Sequence, residues 1–224
     1  MPQGKFLVID GVDGSGKTEQ TKLLLERMQK EQLPVATISF PRYDTDSGKV
    51  VKAYLDGAFG TPEQVGAERA SILYAVDRYA ASVDLRRILE AGTNVIANRY
   101  VASNMGHQGS KISDASERAA FYRWNDDIEF GLFNIPRPDL NVILHVPVDT
   151  SLALIEKRGL AKDSHENREH LEAAKRTYLE IARTFPGFTL IECAPEGRLL
   201  SIPEVHEKVW AAVAPLLVQS KVVA

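Results

Sequence analysis

The run Gly11-Val12-Asp13-Gly14-Ser15-Gly16-Lys17-Thr18 constrains this chain more than any other segment, because it matches G-x-x-x-x-G-K-[ST] without a gap. Its glycines let the backbone curl until several N–H groups converge on an anion. A helix opening directly after them adds the positive end of its dipole. Lys17 then supplies a point charge for the β- and γ-phosphates of ATP, and the Thr18 hydroxyl is placed to ligate Mg²⁺. A chance match would lack the surroundings that this chemistry needs. Here Phe6–Asp10 reads as a buried strand leading in, and Thr21, Leu24, Leu25 and Met28 follow helical spacing leading out.

The same alternation continues to the end of the chain. Val35–Phe40, Asn94–Ala97, Leu140–Val146 and Phe188–Ile191 read as further strands. A long helix is expected from Pro62 to Ala91, with Ile72, Val76, Ala80 and Val83 as its apolar stripe and Gly92 as its stop. Ser116–Phe133, Thr150–Arg158, Arg168–Thr184 and Ile202–Val218 also read as helical. Strands joined by helices imply right-handed crossovers, hence an α/β fold with a five-stranded parallel sheet and helices on both faces. No repeat or low-complexity linker divides residues 1–224, so one domain is expected. Such sheets bind ligands at the carboxyl ends of their strands, so the residues after Asp10, Phe40, Ala97 and Val146 should face one cleft.

Charge narrows the partners. The formal net charge is −3 and there is no long basic run, which gives a dedicated nucleic-acid or membrane-surface role no support. No stretch approaches a membrane span. The apolar run Phe6–Ile9 is too short for a signal-peptide core, and the lone Cys193 precludes an intrachain disulfide. A soluble cytoplasmic protein is expected.

Five ordered motifs carry a resemblance to a known family: Asp10-Gly11-Val12-Asp13-Gly14; Phe40-Pro41-Arg42-Tyr43; Asp77-Arg78 with Tyr74 four residues earlier; Arg99-Tyr100-Val101-Ala102-Ser103-Asn104; and a segment ending Asp163-Ser164-His165-Glu166. Over nearly its whole length the chain resembles the thymidylate kinases, one group of the P-loop nucleoside monophosphate kinases, and especially their bacterial members. The resemblance implies phosphoryl transfer from Mg-ATP to dTMP, a short lid at about 157–168, and a homodimer formed through helices flanking the sheet.

It also implies roles for particular residues. Tyr74 would stack on thymine and Arg78, on the same helix face, would donate to a base carbonyl; a flat aromatic and a fixed donor suit a neutral pyrimidine. Phe40 would help to line the acceptor site. Arg42 and Arg99 would grip the acceptor's phosphate, with Arg99 the stronger candidate because it follows a strand end. Asp13 would lie near the acceptor's 3′-hydroxyl and the metal, with Thr18 as the other metal contact. Asn104 would touch the base, and Glu166 matches a family acid near the base and metal. His107 stands where the family usually has Tyr or Phe beneath the sugar, which leaves the preference for deoxyribose open. Gly14 and Ser15 occupy positions where some members carry an arginine inside the phosphate loop. The lid would then supply the cation for the transferring group: Arg158 first, with Lys162 and Arg168 behind it.

One departure stands out. The family's third strand ends Asp-Arg-Tyr or Asp-Arg-His, whereas this one ends Asn98-Arg99-Tyr100, and an amide is a poorer metal partner than a carboxylate. Two alternatives follow from it: a same-fold kinase with another nucleoside or nucleotide acceptor, and a catalytically weak nucleotide binder.

Overall fold

A computed structural model describes residues 3–157 and 168–221. Among these, β1 (Phe6–Gly11), β2 (Val35–Ser39), β3 (Asn94–Asn98), β4 (Leu140–His145) and β5 (Phe188–Glu192) form one sheet in the order β2-β3-β1-β4-β5. Every pairing is parallel. The helices are α1 (Lys17–Lys30), α2 (Asp46–Leu55), α3 (Pro62–Val65), α4 (Ala67–Glu90), α5 (Val101–Gly109), α6 (Ala115–Asp126), α7 (Val148–Lys157), α8 (Arg168–Thr184) and α9 (Ile202–Lys221). A π-helical turn, Asp127–Leu132, continues α6.

Every residue of β1 is buried, as a central parallel strand covered on both faces requires. Leu7 and Ile9 enter one apolar cluster with Leu24, Met28, Val209 and Val213, from α1 and α9. Phe6 and Val8 enter another with Leu85, Leu89, Tyr100 and Phe121, from α4, the β3–α5 junction and α6. The two-residue alternation of the strand thus assigns helices to opposite faces.

One expectation is corrected, and one left open between core packing and a subunit contact is narrowed. The stretch Pro62 to Ala91 is two helices, broken at Gly66, whose φ of +77° a residue with a side chain rarely adopts. The expected apolar stripe of α4 is not its core face: Ile72 and Val76 are 39% exposed, Val83 is 61% exposed, and Ala80 is exposed too. The face turned inward carries Ala70, Ala75, Ala81, Leu85 and Leu89 beside Ser71, Asp77, Arg78 and Ser82. Polar residues occupy it because they serve the cleft. Helices α2 and α5 were not expected at all. α2 starts on the Thr45 side chain, which accepts from the Gly48 amide.

Candidate active site

The phosphate loop hangs between β1 and α1 as its sequence requires. Gly14 (φ +77°) lies so close to α7 that a Cβ would sit 2.5 Å from the Ser151 carbonyl oxygen. Gly16 (φ +87°) caps α1 and faces open space, which keeps the helix N-terminus accessible to an anion. Lys17 Nζ folds back onto the loop, donating to the carbonyls of Gly11 (3.0 Å) and Val12 (2.8 Å), and lies 3.7 Å from Asp13 Oδ1. The loop residues Asp13, Gly14, Ser15, Gly16, Lys17 and Thr18 line one pocket.

A second pocket lies beside it, lined by Asp13, Phe40, Pro41, Tyr43, Leu55, Tyr74, Arg78, Arg99, Ser103, Asn104, His107 and Gln108. Asp13 and Arg99 belong to both pockets and form an ion pair where they meet. Burial works to raise the Asp13 pKa, but the charges of Arg99 and Lys17 outweigh it and hold the carboxyl well below the usual range. Arg99 has φ +68°, a left-handed conformation that costs a residue with a side chain about 1–3 kcal/mol. Strain of this kind persists where the surroundings fix it, and here the Arg99 amide still donates to Ile9 of β1 at 3.0 Å.

The second pocket is floored by charges that pair with each other. Arg78 Nε and Nη2 each lie 2.6 Å from a different Glu129 oxygen, and both residues are buried. Burial disfavours the Arg78 charge, yet Glu129 more than offsets it, and the Arg78 pKa is raised. Asn104 Nδ2 donates to Ser71 O and to Asn125 Oδ1, each at 3.0 Å, while its Oδ1 is buried with no hydrogen-bond partner among the described residues. Tyr74 meets Tyr54 edge-on at 6.1 Å, and Phe40 packs on Tyr100 at 5.5 Å. Below them Asp10, fully buried, accepts from Ser103 Oγ and from Tyr178 Oη at 2.8 Å, which ties β1 to α5 and α8.

The structure does not bring Arg42 into this pocket, although its neighbours Pro41 and Tyr43 line it. The reason is Asp77, which accepts from the Arg42 amide (2.8 Å) and from Nε (3.1 Å); Ser47 Oγ lies 3.1 Å from Nη2. Arg158, Lys162 and Glu166 lie outside the described residues. Arg168 is at the exposed start of α8 and is paired with Asp149 of α7.

Several lining residues were not picked out from the sequence. The phosphate-loop pocket is closed on its apolar side by Val146, Leu154, Cys193, Leu199, Leu200, Ile202 and Val205. Most of these follow β5, a stretch that carries no motif. Glu129 sits in the π-helical turn, 51 residues from the arginine it holds. Ser103 and Gln108 were within reach of sequence reasoning. With Asn104 and His107 they take positions i, i+5, i+1 and i+4, one face of a helix.

Thr18 Oγ1 accepts from Asn98 Nδ2 at 3.4 Å, and Asn98 Oδ1 is buried without a partner among the described residues. With the Asp13 carboxylate these are oxygen donors, the set that Mg²⁺ prefers. No helix among the described residues is long and apolar enough to cross a membrane.

Comparison with known proteins gives a consistent result. Residues 9–209 match the family model described as thymidylate kinase. The chain is 30% identical over 214 residues to a probable thymidylate kinase of Pyrococcus horikoshii, covering 94% of this chain and 96% of that one. It is 29% identical over 215 residues to a thymidylate kinase of Desulforudis audaxviator, covering 96% and 92%. A solved structure of thymidylate kinase from Candida albicans shares the fold at a TM-score of 0.77 and 20% identity, over 95% of this chain and 92% of that one.

Proposed function

The chain belongs to the thymidylate kinase family, and from that membership we propose that it transfers the γ-phosphoryl group of ATP to dTMP, giving ADP and dTDP. The observation that carries this reading is the meeting of two pockets at Asp13 and Arg99. One pocket is a phosphate loop with an apolar wall, suited to a nucleoside triphosphate. The other is an aromatic and amide cleft suited to a pyrimidine nucleotide.

The nucleophile in such a transfer is a phosphate oxygen that is already anionic, so no general base is needed. Alignment and charge neutralisation remain. The loop amides and Lys17 hold the donor's phosphates; to reach them Nζ exchanges the carbonyls of Gly11 and Val12 for phosphate oxygens. Arg99 grips the acceptor's phosphate at the junction. Asn104 Oδ1, buried and unpartnered among the described residues, accepts an N–H of the base, while the Arg78 nitrogen not engaged by Glu129 donates to a base carbonyl. Tyr74 stacks on the ring. Arg42, held by Asp77, supports the rim of the cleft rather than the phosphate. Thr18, assisted by Asp13 and Asn98, would hold Mg²⁺, which would supply positive charge to offset that of the donor's phosphates. Arg158 remains our candidate for the cation over the transferring group.

The test is ADP release from Mg-ATP with dTMP, dUMP, UMP, thymidine or no acceptor. Release that depends on dTMP and is small with UMP or thymidine is expected. Release with a different acceptor moves the substrate within the same fold. Binding of dTMP without release would replace the kinase by a nucleotide binder and point to Asn98.

We further propose a homodimer through α4, in the cytoplasm, where its donor ATP is supplied. Ile72, Val76, Tyr79 and Val83 repeat at helical spacing on the exposed face of α4, and Tyr79 packs on Phe133 at 5.3 Å. A contiguous apolar stripe of this kind marks an interaction surface. Val83→Asp is expected to shift the sedimenting species from dimer to monomer. An unchanged dimer would place the interface elsewhere.

A further inference from the structure

Arg99 is held from two sides. Nη2 is paired with Asp13, and Nη1 lies 3.1 Å from His107 Nε2. The other nitrogen of the same ring, His107 Nδ1, lies 3.0 Å from His170 Nε2. The two imidazoles are nearly parallel, at 9° with centroids 5.3 Å apart, and the Tyr178 ring meets His107 edge-on at 5.8 Å. Three elements therefore converge: the end of β3, α5 and the first turn of α8. Gly106 makes this approach possible. A Cβ there would sit 2.7 Å from the Tyr178 ring, and Thr177 Oγ1 donates to the Gly106 carbonyl at 2.7 Å.

The chain of contacts has only one direction. A guanidinium has five N–H donors and no acceptor, so His107 Nε2 must be the unprotonated nitrogen. The proton of the neutral ring is then on Nδ1, and it donates to His170 Nε2. Removing that acceptor removes what favours this tautomer over the other, in which Nε2–H points at an arginine N–H and the contact is lost.

We propose that His170 is a positioning residue for Arg99, acting through the orientation and tautomer of His107. The proposal rests on the reading of the second pocket as the acceptor site. His170 touches neither pocket's reacting groups; it fixes the direction in which His107 accepts, and so the place of the guanidinium between the two nucleotides.

The test separates the acceptor atom from the ring's bulk. His170→Phe keeps a flat ring and removes the acceptor, whereas His170→Gln restores an acceptor oxygen without the ring. His170→Phe is expected to raise KM for dTMP about fivefold, the effect of one hydrogen bond, with KM for ATP unchanged. His170→Gln should return KM for dTMP towards the wild-type value. Nitrogen-15 NMR of the His107 ring gives a second readout: protonated Nδ1 in the wild type and His170→Gln, and loss of that state in His170→Phe. Wild-type KM and an unchanged His107 tautomer in His170→Phe would overturn the proposal. So would equal rises in both KM values, which a merely structural role would give. Should the wild type release no ADP with dTMP, the kinase reading fails, while the His107 tautomer in the wild type and His170→Phe still decides the relay.

Discussion

The two pockets that meet at Asp13 and Arg99 are made of different material. The phosphate-loop pocket uses backbone amides, Lys17 and an apolar wall from the segments after β4 and β5. The neighbouring cleft uses charged and amide side chains held by distant partners: Arg78 by Glu129, Asn104 Nδ2 by the Ser71 carbonyl and Asn125, and Arg42 by Asp77 just behind its rim. A glycine-rich backbone can be shaped by local sequence, and its groups come free with every peptide. Buried side-chain charges need partners from elsewhere in the chain, because a lone charge in a low-dielectric interior is costly. The phosphate cradle of the first pocket is therefore locally encoded, whereas its apolar wall comes from distant segments and the second pocket is distributed over α2, α4, α5, α6 and the π-helical turn.

The largest expected effect tests that distribution. Glu129→Ala strands the buried Arg78 charge and should lower stability by about 3–5 kcal/mol in urea unfolding. A loss below 1 kcal/mol would mean that water or another group takes over from Glu129. On the other side, Lys17→Ala should reduce kcat about 10²–10³-fold, the scale for losing one preorganised stabiliser of transition-state charge. Binding of dTMP, followed by calorimetry, should survive it. Near-wild-type turnover would refute the role given to Lys17.

Arg99→Ala probes the seam. Loss of a charge-assisted contact to phosphate should raise KM for dTMP about 10–100-fold and affect ATP far less. Equal effects on the two substrates would assign Arg99 to the transferring group instead of the acceptor. The smallest expected change is on the apolar wall. Leu200→Ala should raise KM for ATP only a fewfold, in line with about 1 kcal/mol of lost apolar contact, and leave KM for dTMP alone. A change in dTMP affinity would show that the two pockets are less separate than their linings suggest.

The sequence made the α/β order legible because each strand is a short apolar run and the phosphate loop fixes the first crossover. It missed α2 and α5 because both are short, at ten and nine residues, so that an apolar period hardly repeats within either. The stripe on α4 is open, from the sequence, between core packing and a subunit contact. Ile72, Val76, Ala80 and Val83 do repeat at helical spacing, and periodicity reports a face without saying what covers it. In the fold that face is exposed, and the inward face holds Asp77 and Arg78, whose charges are satisfied by Arg42 and Glu129.

The site shows the same division. Residues Gly11–Thr18 determine a phosphate cradle by themselves, since its function lies in backbone conformation and in the side chains of one continuous segment. Tyr74 and Arg78, four residues apart on one helix, could likewise be placed on a common face. What only the tertiary structure decided is which charges pair. Arg42 turns away to Asp77, Glu129 reaches Arg78 across 51 residues, and His170 meets His107 across 63. Sequence carries such a pairing only as two separate residues. The packing of α5 on α8 and of α4 on the π-helical turn makes each pair a single unit, because a buried charge or polar nitrogen left without a partner is costly.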